Sequence, residues 1–166
     1  DEKSSGRYGP LVKPGKYTAQ LSMKGKILEQ NFIVLADPRI CEAGITTDDL
    51  EEQEKLALNI RDLQSEIKKL GENIKAKLAE NEKQLEKRQK NKKLLAENSK
   101  LKELEAQLFT KDGRYQKPML ISQISYLSSM LNSADQRPGK DAYERYEALK
   151  KQYDSILYLT SVRFIP

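Results

Sequence analysis

Leu56-Ala57-Leu58-Asn59-Ile60-Arg61-Asp62-Leu63-Gln64-Ser65-Glu66-Ile67-Lys68-Lys69-Leu70-Gly71-Glu72-Asn73-Ile74 decides the architecture of this 166-residue chain. Its apolar residues Leu56, Ile60, Leu63, Ile67, Leu70 and Ile74 recur with the 4-3-4-3-4 spacing of heptad a and d positions. Leu78 and Leu85 continue the stripe with a slight offset. A seam sustained this long needs a second helix laid alongside it at a shallow angle. Upstream, Ile45-Thr46-Thr47-Asp48-Asp49 is a helix start, with hydroxyls to cap it and acids where the helix dipole favours them. The pattern predicts one coiled-coil-like helix over 47–86.

Working outward, Leu94, Leu101, Leu104 and Leu108 mark a second helix over 93–109. The intervening Glu86–Lys93 contains no apolar residue, so the chain reversal is expected there. An alternative is one uninterrupted rod from Thr47 to Leu108, which would demand an intermolecular partner. Asp112-Gly113 interrupts the pattern, and Pro118 suits the first turn of a third helix over 117–132, carrying Leu120, Ile124, Leu127 and Leu131. Pro138-Gly139 lies in a loop. A fourth helix over 140–159 shows Ala142, Tyr146, Leu149, Tyr153 and Ile156 at heptad spacing. Four amphipathic helices with short connections predict an up-down antiparallel bundle within residues 41–166. The last segment, Leu157–Pro166, with Val162, Phe164 and Ile165, is expected to be a tail that docks on the hairpin or the bundle.

Residues 1–13 are polar, with Gly6, Gly9 and Pro10, and have the character of a linker. Pro14-Gly15 then signals a turn. Tyr17, Ala19, Leu21 and Met23 alternate with Thr18, Gln20 and Ser22, the period of a half-buried strand. Lys24-Gly25-Lys26 supplies a tight turn, and a second strand over Ile27–Leu35 ends at Asp37-Pro38. Residues 14–40 are thus a β-hairpin segment. A lone hairpin is marginal in water. Ile33 and Leu35 on one face, with Phe32 and Val34 on the other, ask for cover on both sides. Either upstream strands of a β-sandwich supply it, making the hairpin the end of a truncated domain, or the helices do. The first reading is preferred, with some packing on helices in either case. The expected fold class is mainly α with a small β part.

Composition narrows the chemistry. There is no histidine, so a Ser–His–Asp triad and a His-ligated metal cannot arise within this chain. With one cysteine, Cys41, no internal disulfide or multi-cysteine zinc site forms either. Charged residues make up 33% and hydrophobic ones 37%, which suits helices with one thin apolar stripe. The net charge is +5, and it is concentrated: Glu66–Lys102 holds twelve lysines and arginines against six glutamates. That stretch has no aromatic with which to stack a base, so a solvated helix face is preferred over nucleic-acid or anionic-lipid binding. No run of 18 apolar residues suggests a membrane span.

Among candidate residues, Asp37, Asp135 and Asp141 could in principle pair as acid and base. Asp37 before a proline is better explained by an Asx-type turn, and Asp141 by a helix cap or first-turn acid. Tyr143, Tyr146 and Tyr153 have seam spacing rather than that of a sugar platform. Cys41, in the loop after Asp37-Pro38-Arg39, lacks an activating histidine. No phosphate loop, metal-ligand spacing or dinucleotide fingerprint is present. Catalytic, cofactor-binding and metal-binding residues are therefore assigned as none.

Several stretches resemble one family. Pro-Gly-Lys-Tyr-Thr-Ala-Gln-Leu (14–21), the Gly25-Lys26 turn and Phe-Ile-Val-Leu-Ala-Asp-Pro-Arg (32–39) are similar to a segment of bacterial sortilin-like β-propeller proteins. Those proteins are built of neuraminidase repeats and are commonly described as glycosyl hydrolases. Ile45-Thr46-Thr47-Asp48-Asp49-Leu50, Gln123-Ile124-Ser125-Tyr126-Leu127 and Ala134-Asp135-Gln136-Arg137-Pro138-Gly139-Lys140-Asp141-Ala142-Tyr143 resemble the helical region that follows the propeller there. Residues 75–110 match only as heptads. The resemblance implies a C-terminal accessory region of a secreted or periplasmic protein, partnered by the upstream propeller and sandwich strands. It carries over no catalytic residue, because no propeller repeat is present. The expected function is a non-catalytic structural module. The alternatives are a coiled-coil module that forms homo-oligomers or binds a partner through Leu56, Ile60, Leu63, Ile67, Leu70 and Ile74, and a carbohydrate-binding module using exposed tyrosines.

Overall fold

The computed structural model describes residues 9–87 and 91–161. Two strands, β1 (Gly15–Met23) and β2 (Lys26–Val34), are followed by a short helix α1 (Pro38–Glu42) and the long α2 (Thr47–Lys87). Helices α3 (Lys92–Leu108), α4 (Leu120–Leu131) and α5 (Lys140–Ser161) complete the chain. The protein is mainly helical with one N-terminal antiparallel hairpin, as the periodicities predict.

The hairpin closes through Lys24 and Gly25, at φ 48° and 78°. Two successive left-handed residues make the two-residue turn whose twist matches that of paired strands. Beyond β2, Asp37 caps α1 by accepting from the Arg39 amide at 2.9 Å, and Pro38 occupies the first turn where its missing N–H is not needed. Gly44, at φ 85°, ends α1 with bonds from Gly44 N to Cys41 O and from Ile45 N to Ile40 O. Cys41 therefore sits in a short helix and not in the loop expected for it.

At the start of α2, the Thr46 hydroxyl donates to Asp49 at 2.6 Å while Asp49 N donates back to Thr46 Oγ1 at 3.2 Å. That is a reciprocal cap with aspartate in the place of the usual glutamate. The helix then runs for 41 residues, about 61 Å at the standard rise. It is the spine of the molecule. Leu56, Ile60, Leu63, Ile67, Leu70, Ile74 and Leu78 are all buried along it.

Helix α3 returns antiparallel along the distal half of α2. Asn81 meets Asn98 at 2.9 Å, Glu82 meets Lys102 at 3.6 Å, and Glu105 meets Lys75 at 3.9 Å. A single rod over 47–108 is thereby excluded. The reversal lies at the expected place, although residues 88–90 within it are outside the described residues. Helix α4 also runs antiparallel to α2, along its proximal half, with Gln64 on Ser125 and Gln53 on Leu131 O. Residues 109–119 consequently do not turn the chain back, and the simple four-helix up-down order is corrected. α3 and α4 are two segments of one descending layer, α2 ascends, and α5 ascends beside α4. The interruption is held by Thr110, whose hydroxyl accepts from Met119 N at 2.8 Å and pairs with Ser122 Oγ at 2.8 Å. α4 begins at Leu120 and not at 117: its N-cap Met119 is extended, at φ −91° and ψ −178°, so Pro118 precedes the helix and is not in its first turn.

Two 7-residue gaps in the apolar stripes, Leu78 to Leu85 and Leu94 to Leu101, are filled by Asn81 and Asn98. Both are buried and bonded to each other, so the gaps are one polar layer. In α5, Leu149, Tyr153 and Ile156 are buried as the heptad spacing predicts. The helix extends beyond the expected end to Ser161, and Thr160 is buried with its hydroxyl on Ile156 O at 2.7 Å. Of the tail expected over 157–166, residues 157–161 are the end of α5 and 162–166 lie outside the described residues. So do residues 1–8 of the linker.

Candidate functional site

Structure separates the candidate acids. Asp37 is bound to the Arg39 guanidinium and backbone, which hold its carboxyl down at about 2. Asp135 lies on a small cavity of about 210 Å³ between the hairpin root and the start of α2, whereas Asp141 lines a different groove between α4 and α5. Among the described residues no cluster of three acids or cysteine could hold a metal ion. Cys41 is exposed.

The tyrosines divide similarly. Tyr153 is buried and Tyr146 packs against the core, and burial raises the phenol pKa of both. Tyr143 and Tyr158 are both exposed, at 38% and 65%. Tyr146 and Tyr153 therefore follow the seam, whereas Tyr143, expected on it as well, stands outside it.

The hairpin is where the fold leaves apolar groups uncovered. In its register Tyr17 faces Phe32, Ala19 faces Gln30, Leu21 faces Leu28 and Met23 faces Lys26. Cross-strand partners share a face, so Tyr17, Leu21, Met23, Leu28 and Phe32 form one apolar surface. Tyr17 and Phe32 stack with centroids 5.9 Å apart. Leu21, Met23 and Leu28 are each about 60% exposed. On the opposite face Thr18 bonds Asn31 at 2.8 Å and Gln20 bonds Glu29 at 2.8 Å. That face is largely polar, with only Ile27 and Ile33 standing on it. Both faces thus carry apolar groups of β2, as expected, but its partner strand supplies them to one face alone.

Among the described residues no Cα of either strand comes within 8 Å of a helical Cα, so the expected packing on helices is confined to the root, where Val34 shares a small cavity with Leu50 and Gln53. The hairpin is held at this root. Lys13 Nζ reaches Glu51 at 2.7 Å, and the Tyr17 hydroxyl donates to Lys13 O at 2.7 Å. Lys13 and Lys55 together hold the Glu51 carboxyl down at about 2. Nothing in the apolar periodicity could signal this tether, since it joins a residue before the hairpin to one 38 positions later.

A second feature lies at the other side of α4. An open groove of about 900 Å³ runs between α4, the 132–139 loop and the first turns of α5. The loop that forms its end is pinned by Gln53, buried on α2, which donates to Leu131 O at 2.6 Å and Ala134 O at 2.7 Å. Gln53 also accepts from Gln136 N at 3.2 Å, so one side chain satisfies three backbone groups. Its position three residues before Leu56, on the seam, was the available sequence signal. Compared with known proteins, the chain matches no protein-family model, no curated protein and no solved structure.

Proposed function

We propose that this chain is a non-catalytic accessory module, a helical bundle that presents a β-hairpin to the strands of a larger β-domain in the same protein. One observation carries the reading. The apolar hairpin face of Tyr17, Leu21, Met23, Leu28 and Phe32 stays uncovered while the helical seams are closed within the chain. A two-stranded ribbon is unstable alone and gains from further strands or a packed layer. Docking that face would bury its leucines and aromatics, and the free ladder edges would pair with neighbouring strands. The likeness of residues 14–39 to sortilin-like propeller proteins supports a propeller with sandwich strands as the host, placing the module in the periplasm or outside the cell.

Assembly through the Leu56–Ile74 seam is the less favoured reading, because those side chains are already buried inside one chain. A second copy could reach them only if the bundle opened. The test is hydrogen exchange of the β1 and β2 amides, measured on this chain alone and with the strands of a sortilin-like host β-domain joined upstream. The proposal expects rapid exchange at the outward-facing amides here and strong protection there. Equal, rapid exchange in both would overturn it.

A further inference from the structure

Gln123, Tyr126 and Leu127 of α4 and Gln136–Ala142 of the following loop and α5 line one groove. None of these residues is needed for the hairpin reading. At about 900 Å³ the groove is of the size that accommodates small ligands and short peptides. Its floor is apolar: Tyr126 and Met130 stand exposed over buried Leu127 and Pro138. Exposed tyrosine and methionine are residues that interfaces favour.

The polar groups are arranged by position along α4. At its N-terminal end lie Lys117 and Arg145, with the Arg145 guanidinium donating to Gln123 Oε1. Neither cation has a carboxylate within 4 Å among the described residues. Asp141 lies one helical turn before Arg145 on α5 yet forms no ion pair with it, so the guanidinium is left with a neutral partner. Ser122 to Met130 spans about 12 Å of helix, the length of some four extended residues. The groove therefore offers two cations without an ion-pair partner, Lys117 just before α4 and Arg145 against Gln123, an apolar trough, and one carboxylate, Asp141, a turn away from Arg145 on α5.

We infer that this groove binds a short extended peptide with an apolar run that ends in an acidic side chain or a terminal carboxylate. The carboxylate would sit between Arg145 and Lys117, where a guanidinium makes charge-assisted bonds. The apolar run would lie on Tyr126 and Met130. Gln123 would hold the guanidinium in place by its existing bond.

The experiment is selection of a displayed library of random octapeptides against the whole chain and against Lys117→Glu/Arg145→Glu. Both substituted residues are exposed, and thermal melting monitors that the bundle is intact. The wild type should enrich peptides with an apolar run closed by an acid, and each should bind the double variant roughly tenfold or more weakly. Selection on the double variant should instead favour peptides closed by a base. Tyr126→Ala/Met130→Ala should weaken the wild-type peptides without changing their charge preference. No enrichment on the wild type, or enrichment indifferent to the charge reversal, would overturn the inference. So would a concentration-dependent increase in solution mass abolished by the charge reversal, which would assign the groove to a second copy.

Discussion

The ring of Phe109 stands where a Cβ on Gly71 would be. Gly71 is buried on α2 at the level where its neighbour changes from α4 to α3, and Phe109 is the residue on which α3 ends. The seam spacing records the same event: Leu70, Ile74 and Leu78 follow at 4 and 4, where the heptad calls for 4 and 3. An extra residue in the repeat locally unwinds the seam and turns two adjacent positions towards the neighbour. Lys75 Nζ lies 5.1 Å from the Phe109 centroid and covers its outer side.

Gly71→Ala should therefore go against helix propensity. In an unhindered helix interior the change would stabilise by about 1 kcal/mol. Here the methyl and the ring compete for one volume, and overpacking of this kind costs about 1–3 kcal/mol. The variant should be no more stable than wild type, and the same change made in Phe109→Ala should stabilise. Denaturant unfolding of the four proteins measures the coupling; additivity would show that ring and glycine are independent.

Asn81 and Asn98 form the polar layer of the α2–α3 pair. Replacing Asn98 by Leu alone removes one of the two acceptors of the buried Asn81 amide, Glu97 at 3.0 Å being the other, at a cost of about 1 kcal/mol. Replacing both by Leu should recover that loss, while the pairing register becomes less strictly specified. Urea midpoints report the stability. A single variant as stable as wild type would mean that the amides contribute nothing.

Acid should loosen the hairpin root before the bundle. The Glu51 carboxyl is depressed from 4.5 to about 2 by Lys13 and Lys55. A depressed carboxylate contributes stability that is fully present above its unfolded pKa and is lost as pH falls through its folded value. The window thus extends from about pH 4.5 down to about 2. Amide exchange around residues 11–15 should accelerate across that window, and Glu51→Gln should show the fast rate at every pH. Exchange independent of pH in the wild type, after correction for intrinsic rates, would contradict the tether.

Because the hairpin meets α2 only at its root, hairpin and bundle should respond separately to substitution at the turn. Gly25→Ala places a side chain at φ 78° and should fray the hairpin by about 1 kcal/mol or more. The main thermal transition should stay within a degree or two. A large shift in that transition would mean that the hairpin supports the bundle.

Ile67 is fully buried in α2. Ile67→Asp leaves a carboxylate without a partner in the core, and the helical transition should be lost or lowered by several kcal/mol. Circular dichroism with light scattering distinguishes the readings of the seam. Loss of helix from a monomer places the seam inside one chain, whereas a fall in mass with helix retained would place it between chains.

The hairpin, the long helix and its partners were legible in the sequence because each rests on local chemistry. Heptad spacing sets a helix face, Thr46 and Asp49 cap α2, and Lys24-Gly25 fits a two-residue turn. The Asn81–Asn98 layer was legible only as two matching gaps. Tertiary structure alone decided the rest. Whether residues 109–119 reverse the chain depends on Thr110 reaching Met119 and on Phe109 packing at Gly71, neither of which is a periodic feature. The exposed face of the hairpin depends on register, since β2 is apolar on both sides and β1 determines which side gains partners. The α4–α5 groove required Gln53 to pin a loop some 80 residues away. Periodicity reports the surface that one segment must bury, but the choice among neighbours able to bury it is made by contacts distant along the chain.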